Sequence, residues 1–288
     1  MQDKVLVPVD GTESFDETLA YVQALTPQAR TEIVLLHVLP ADTTPEVAAI
    51  NCSQDGVHDK LQKLYTALRE RGWTVSAELR MGDPVEEIVK MAVLLPAAVV
   101  FLSTHGRTGL ERISKGSVTE SVVRQSPCPS FILHSTRPEP PDQRREQLFR
   151  RILVPLDGTD DSSAILPCVE KFAKSHDSEV VIFHDQACDG PTGDSANDQV
   201  VKRALQDQSV ELANKGLVVT LDMSTYRRPI REILNKIDER DIDLVAMVSH
   251  GLSGNRRALE ESVTADVIRH SNCPLLVWSA SPQCPTYM

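Results

Sequence analysis

The chain has 288 residues, a formal net charge of −11, 41% hydrophobic residues and 25% charged residues. That acidic balance argues against nonspecific binding to nucleic acid or anionic membrane. No apolar run approaches the roughly 18 residues of a membrane helix, and the length suits two domains, each able to bury its own core.

The elements follow in chain order. MQDKVLVPVD runs straight into a strand over Val5–Val9, which predicts no targeting segment. Ser14 and Glu17 offer a capping box for a helix over Phe15–Leu25, with Leu19, Val22 and Leu25 on one face. EIVLLHV, Glu32–Val38, is the second strand. The acidic tract Asp55–Asp59 lacks the full calcium-loop pattern, as does Asp185–Asp194. A helix over Asp59–Arg71 carries Leu61, Leu64, Tyr65 and Leu68, and Gly72 stops it. Val75–Met81 alternates in character, which suits an edge strand. Pro84 opens a third helix through Val89 and Ala92. Ala97–Ser103 is the fourth strand, Val118, Val122 and Val123 line a fourth helix, and Ser130–His134 is the fifth strand. Apart from the third, these strands are nearly continuous in apolar residues, as in a parallel sheet covered on both faces.

The chain then repeats itself. KVLVPVDG at Lys4–Gly11 returns 147 residues later as RILVPLDG at Arg151–Gly158. STHGRTGLERISKGSVTESV from Ser103 returns 145 residues later as VSHGLSGNRRALEESVTADV from Val248. Second-copy strands follow at Ile152–Leu156, Glu179–His184, Val218–Met223, Leu244–Ser249 and Leu275–Ser279. The period is too long for a solenoid and marks two tandem domains. They span 1–136 and 149–288, joined by a proline-rich, charged linker over 137–148. Alternating strands and helices predict an α/β, doubly wound parallel sheet in each copy, with ligands bound at the carboxyl ends of the strands where strand order reverses.

The segment His105–Val123 carries the chemistry. Gly106 follows a buried strand, and Gly116 and Ser117 immediately precede a helix. Glycine lets a ligand approach the main chain, and a helix N-terminus presents unpaired N–H groups and partial positive charge to phosphate. Ser117 and Glu120 also form a capping box. The segment therefore reads either as a phosphate cradle or as a plain loop with a capped helix. Asp10, at the end of the first strand, sits where a carboxylate can meet ribose or a metal–phosphate group, or can simply shape the Asp-Gly turn.

These motifs together resemble the universal stress protein family. Its nucleotide-binding members carry Gly-x2-Gly-x9-Gly-(Ser/Thr), and here the register is Ser103-x2-Gly106-x9-Gly116-Ser117. The likeness extends to the PVDG-type first strand, the LLHV second strand, the MGDP segment after the third strand and the Cys-Pro before the last, and it spans nearly the whole chain, twice. The resemblance implies five-stranded sheets of order 3-2-1-4-5 and a site for ATP, with Mg2+ as an optional companion. Adenine would meet main chain at Val38, Pro8 and Val9, with Asp10 near ribose or phosphates. Leu102 and Ser103 would flank the nucleotide, and Gly106, Arg107, Gly116, Ser117, Val118 and Thr119 would surround the phosphates. Ser103, in place of the first glycine, either fits by being small or crowds the nucleotide.

In the second copy the register becomes Val248-x2-Gly251-x9-Glu261-Ser262. A carboxylate about 4 Å from a phosphate repels it by about 4 kcal/mol at an effective dielectric of about 20, half the roughly 8 kcal/mol of a micromolar site. The second copy is therefore expected to be a structural one. His105, His250, His37 and His184 are expected to bond loop backbone rather than to act as acids or bases. Cys128 and Cys273 read as buried small residues, and Cys284 as the more exposed thiol. The six cysteines form no C-x-x-C pair or zinc cluster, which fits a reducing cytoplasm. Arg227–Arg228 and Arg256–Arg257 read as solvated. The overall expectation is an ATP-dependent regulatory switch in which the Arg107–Lys115 loop orders and alters the surface shown to a protein partner. At most slow hydrolysis is expected, since no P-loop lysine or attacking-water base stands at a recognisable spacing. A nucleotide-free interaction module and a phosphoryl-transfer enzyme are the rivals. The halves are expected to pair as a pseudo-dimer, and the chain to form a homodimer.

Overall fold

The computed structural model describes residues 3–9, 15–39, 57–104, 118–134, 148–185, 196–226, 228–249 and 263–279. The chain divides into two compact units. In the first, β1 (Asp3–Pro8), β2 (Thr31–Leu39), β3 (Thr74–Met81), β4 (Val99–Thr104) and β5 (Ser130–His134) form a parallel sheet in the order β3-β2-β1-β4-β5. Its helices are α1 (Phe15–Leu25), α2 (Val57–Glu70), α3 (Pro84–Leu94) and α4 (Val118–Gln125). The doubly wound α/β order expected from the sequence is the one observed.

Burial explains why these residues form a sheet. Val5, Leu6, Ile33, Leu35, Leu36, Val100 and Phe101 are all essentially inaccessible, each worth about 1.5–3 kcal/mol of burial. Phe131 bridges from β5 to Phe101 at 5.0 Å and to Tyr21 of α1 at 5.6 Å. β3 is the edge strand expected from its alternation, with Leu79 and Met81 exposed.

Helix ends follow from local chemistry. Asp83 accepts from the N–H groups of Val85 and Glu86 and so caps α3, whose first residue is Pro84. Gly72 adopts φ +86 beyond α2, where its N–H meets the Arg69 carbonyl. On α3 the buried residues are Ile88, Met91 and Ala92, with Val89 only half-buried. On α4, Val122 and Val123 are buried but Val118 is 42% exposed, because it opens the helix instead of facing the core. The predicted capping box at Ser14 and Glu17, and the Leu19 side chain, lie outside the described residues.

The second unit contains β6 (Arg151–Pro155), α5 (Asp160–Ser163), α6 (Leu166–His176), β7 (Glu179–Asp185), α7 (Ala196–Asn214), β8 (Val219–Ser224), α8 (Pro229–Glu239), β9 (Leu244–Ser249), α9 (Val263–His270) and β10 (Leu275–Ser279). Its strand order, β8-β7-β6-β9-β10, is again 3-2-1-4-5 within the unit. Between its first two strands the second unit has two α-helices, α5 and α6, and Pro167 in the first turn of α6 marks the restart. Phe172 and His176 of α6 stack with ring centroids 4.3 Å apart, and Phe149 meets both rings edge-on.

Candidate functional site

Strand order reverses between β1 and β4 in the first unit. These two strands pair only at Val5–Val99 and Leu6–Val100, so their carboxyl ends run on without mutual pairing. A crevice at that edge is the expected ligand position in an open α/β sheet. Pro8, Val9, Leu102 and Ser103 stand on its two sides, with Pro8 and Ser103 half-buried and Val9 and Leu102 buried. Val38 is the penultimate residue of β2. Val118 and Thr119 open α4, Thr119 being 8% exposed. Asp10, Gly106, Arg107, Gly116 and Ser117 lie outside the described residues.

The exit of β1 has a specific hydrogen-bond arrangement. The Val9 N–H donates to the Leu36 carbonyl at 2.8 Å. The next rung of a parallel ladder would run from the Val38 N–H to the Val9 carbonyl. Among the described residues that rung is not made, and β1 ends at Pro8. Instead the His37 ring donates from Nδ1 to the Val9 carbonyl at 2.7 Å. A carbonyl only accepts, so Nδ1 carries the hydrogen. Because main-chain groups alternate in direction along a strand, the N–H and C=O of Val38 face the same side as those of Leu36, past the end of β1. The expectation that His37 bonds loop backbone is borne out.

The second unit repeats this arrangement. The Leu156 N–H donates to the Phe183 carbonyl at 2.8 Å, and His184 Nδ1 to the Leu156 carbonyl at 2.7 Å. β6 and β9 likewise pair only at Ile152–Leu244 and Leu153–Val245. Around this shared frame the side chains differ. Asp185 takes the place of Val38, and its carboxylate accepts from Ser224 Oγ and from the N–H groups of Tyr226 and Arg228. It thereby anchors the chain entering α8, whose N-cap position holds Arg228 where the first unit has Asp83. Asp157 accepts from the N–H and hydroxyl of Thr159, at 2.9 and 2.6 Å, and Thr159 in turn caps α5 at the Ser162 N–H. The carboxylate thus shapes the Asp-Gly turn of the second unit. Gly158, at φ +84, lies so close to Val201 of α7 that an added Cβ would fall 2.5 Å from Val201 Cγ1. Thr264 Oγ1 donates to the Val248 carbonyl at 3.3 Å, fixing the start of α9 over the end of β9.

The remaining candidates are structural where they are described. Ser126 and Ser271 each bridge a tight turn to the residue two ahead, Cys128 and Cys273. Cys273 is buried, with Sγ 3.4 Å from the Ile242 carbonyl. Burial pushes the Cys128 thiol above its ordinary range, against a smaller opposing effect of its Ser126 contact, so it is a poor nucleophile. Asp59 stands in the first turn of α2 paired with Lys63, and no group of three or more metal-ligating side chains occurs among the described residues. Among them, no helix is long and apolar enough to cross a membrane. His105, His250, Cys284, Glu261 and Arg256–Arg257 lie outside the described residues. The Asp83 cap and the Asp185 anchor were not anticipated. The Asp-Pro pair in MGDP carried the signal for the first, whereas nothing local in the sequence announces the second.

The model of the universal stress protein family matches residues 1–134 and again residues 148–279. The chain belongs to the universal stress protein family. A universal stress protein of Mycobacterium tuberculosis is 25% identical over 293 residues, covering 96% of this chain and 97% of its own, so the tandem arrangement is shared at full length. A universal stress protein of Methanocaldococcus jannaschii is 28% identical over 154 residues, covering 46% of this chain and 95% of its own. The crystal structure of a universal stress protein from Archaeoglobus fulgidus matches the fold with a TM-score of 0.74 at 22% identity, over 96% of this chain and 98% of that one.

Proposed function

We propose that the first unit of this universal stress protein holds ATP in the crevice between β1 and β4, with Mg2+ as an optional companion. The observation that supports this reading most is the exit of β1. Val38 presents an N–H and a C=O side by side where strand pairing has stopped, a donor and acceptor pair that complements the N1 and N6 edge of adenine. Pro8 and Val9 supply the adjoining wall, and Leu102 and Ser103 flank the nucleotide. Asp10 meets ribose or phosphate. Gly106, Arg107, Gly116, Ser117, Val118 and Thr119 surround the phosphates at the N-terminus of α4, where main-chain N–H groups favour anions.

In this reading the nucleotide orders the Arg107–Lys115 loop and changes the surface offered to a protein partner in the cytoplasm. The effect requires ATP to favour one loop state over another. Any hydrolysis is slow. The second unit, with Glu261 in the place of Gly116 and its strand-end Asp185 engaged in anchoring α8, serves as a structural copy. The domains span 1–136 and 149–288, pair as a pseudo-dimer within the chain, and pair again as a homodimer. Mass spectrometry of ligand released from purified protein tests the core of the proposal. Wild type releases an adenine nucleotide and Gly116→Glu releases none. Equal nucleotide in the variant contradicts the placement, and none in wild type favours the nucleotide-free interaction module.

A further inference from the structure

We infer that His37 is a positioning residue for nucleobase recognition, holding the exit of β1 open so that Val38 can read an adenine edge with its main chain. The inference rests on the nucleotide reading above for its ligand, but its structural half can be tested without any nucleotide. In a parallel ladder a backbone carbonyl at the Val9 position is the natural acceptor for the Val38 N–H. The His37 ring donates to that carbonyl at 2.7 Å, so the carbonyl is satisfied although the rung is unformed. A buried carbonyl without a partner would be costly, and without the ring the Val38 N–H is the nearest main-chain donor in register. Imidazole therefore does two things at once. It ends the strand at Pro8, and it reserves the Val38 donor for a ligand. His37 is 8% exposed, so the ring is packed in place rather than free in solvent.

The second unit supplies independent support for the geometry. His184 makes the same bond to Leu156 at the same 2.7 Å, although the strand-end residue beside it has changed from Val38 to Asp185. The imidazole–carbonyl bond thus survives a change of its neighbour's side chain, as expected of a device acting on the main chain. It also predicts base selectivity. A main-chain N–H and C=O fit adenine, whose N1 accepts and N6 donates, whereas hypoxanthine and guanine present N1–H and O6 with the opposite polarity.

The test compares wild type with His37→Phe, which keeps a ring but has no donor, and with His37→Asn, whose amide can donate from nearly the Nδ1 position. Amide hydrogen exchange at Val38, measured without nucleotide, is fast in wild type and His37→Asn and becomes protected in His37→Phe as the rung closes. Core amides such as Leu6 report that the sheet is intact. Calorimetry then shows ATP affinity reduced about tenfold or more in His37→Phe, the size of one lost hydrogen bond. Tripolyphosphate binds that variant as it binds wild type, the preference for ATP over ITP shrinks, and His37→Asn restores both ATP affinity and preference. A protected Val38 amide in wild type, or an unprotected one in His37→Phe, overturns the inference. So does a parallel loss of ATP and tripolyphosphate that His37→Asn fails to rescue, which assigns the ring to general stability. Failure of wild type to bind ATP at all would count against the nucleotide reading, while the exchange result would still decide the role of the ring.

Discussion

The two units of this chain share a scaffold and differ at its mouth. Both run 3-2-1-4-5, both let their first and fourth strands part after two paired positions, and both place a histidine ring on the carbonyl that follows the first strand. Yet the residue after that histidine is Val38 in one and Asp185 in the other, and the helix entered from the third strand is capped by Asp83 in one and anchored by Asp185 in the other. The acid stands in the loop in one unit and at the strand end in the other. What this teaches is that the sheet tolerates a rewritten edge as long as each helix start finds an acceptor for its N–H groups. A duplicated domain can thus keep its fold after the chemistry at its mouth has changed.

The largest expected effects test whether the two cores are equivalent. Leu35→Ala and Ile182→Ala remove matched, fully buried side chains from β2 and β7. Each is expected to cost about 2–5 kcal/mol, read from hydrogen exchange of core amides in the affected unit. A large loss in one and none in the other would break the comparison at its root. Next comes the packing of α7 on the Asp-Gly turn. Gly158→Ala imposes a left-handed conformation on alanine and drives its Cβ against Val201, with an expected cost of about 2–3 kcal/mol. Adding Val201→Ala should recover part of that loss in denaturant unfolding, because the clash is relieved while the backbone strain stays.

Caps give smaller effects. Asp185→Ala leaves the Tyr226 and Arg228 N–H groups and the Ser224 hydroxyl without this acceptor, an expected loss of about 1–3 kcal/mol. Asp83→Ala should cost about 1 kcal/mol, as an ordinary N-cap does. Equal losses on thermal unfolding would argue that the two acids play the same part. Smallest of all is Glu170, whose carboxyl is held below its ordinary value of 4.5 by hydrogen bonds from Lys174 and then Lys215. A carboxylate with a depressed pKa stabilises the fold above its unfolded value and loses that contribution as pH falls through the folded one. Wild type should therefore exceed Glu170→Gln in stability by less than about 1 kcal/mol at neutral pH. The gap should close on acidification through and below pH 4.5.

Most of the scaffold was legible because its signals are local and repeated. Apolar runs such as VLVPV and LVAMVS read as buried strands, Gly72 and Pro84 marked a helix end and a helix start, and the alternation in VSAELRM identified the edge strand. Element ends moved by a residue or two for reasons invisible in one dimension. The first strand stops at Pro8 rather than Val9, and the carbonyl of Val9 accepts instead from a histidine ring 28 positions away. The Asp185 anchor was illegible for the same reason, since its partners lie about 40 residues downstream in β8 and the approach to α8. Of the proposed site, the sequence offered residue types and spacing. The open main chain at Val38 depends on where the ladder between β1 and β2 ends, which residue types do not specify.

The central claim is that one nucleotide site exists per chain and that it belongs to the first unit. Calorimetric titration of ATP into wild type, Gly116→Glu and Glu261→Gln tests it most directly. A stoichiometry of one is expected in wild type and in Glu261→Gln, with binding abolished in Gly116→Glu. Two sites in wild type, or binding lost in Glu261→Gln and kept in Gly116→Glu, would contradict it.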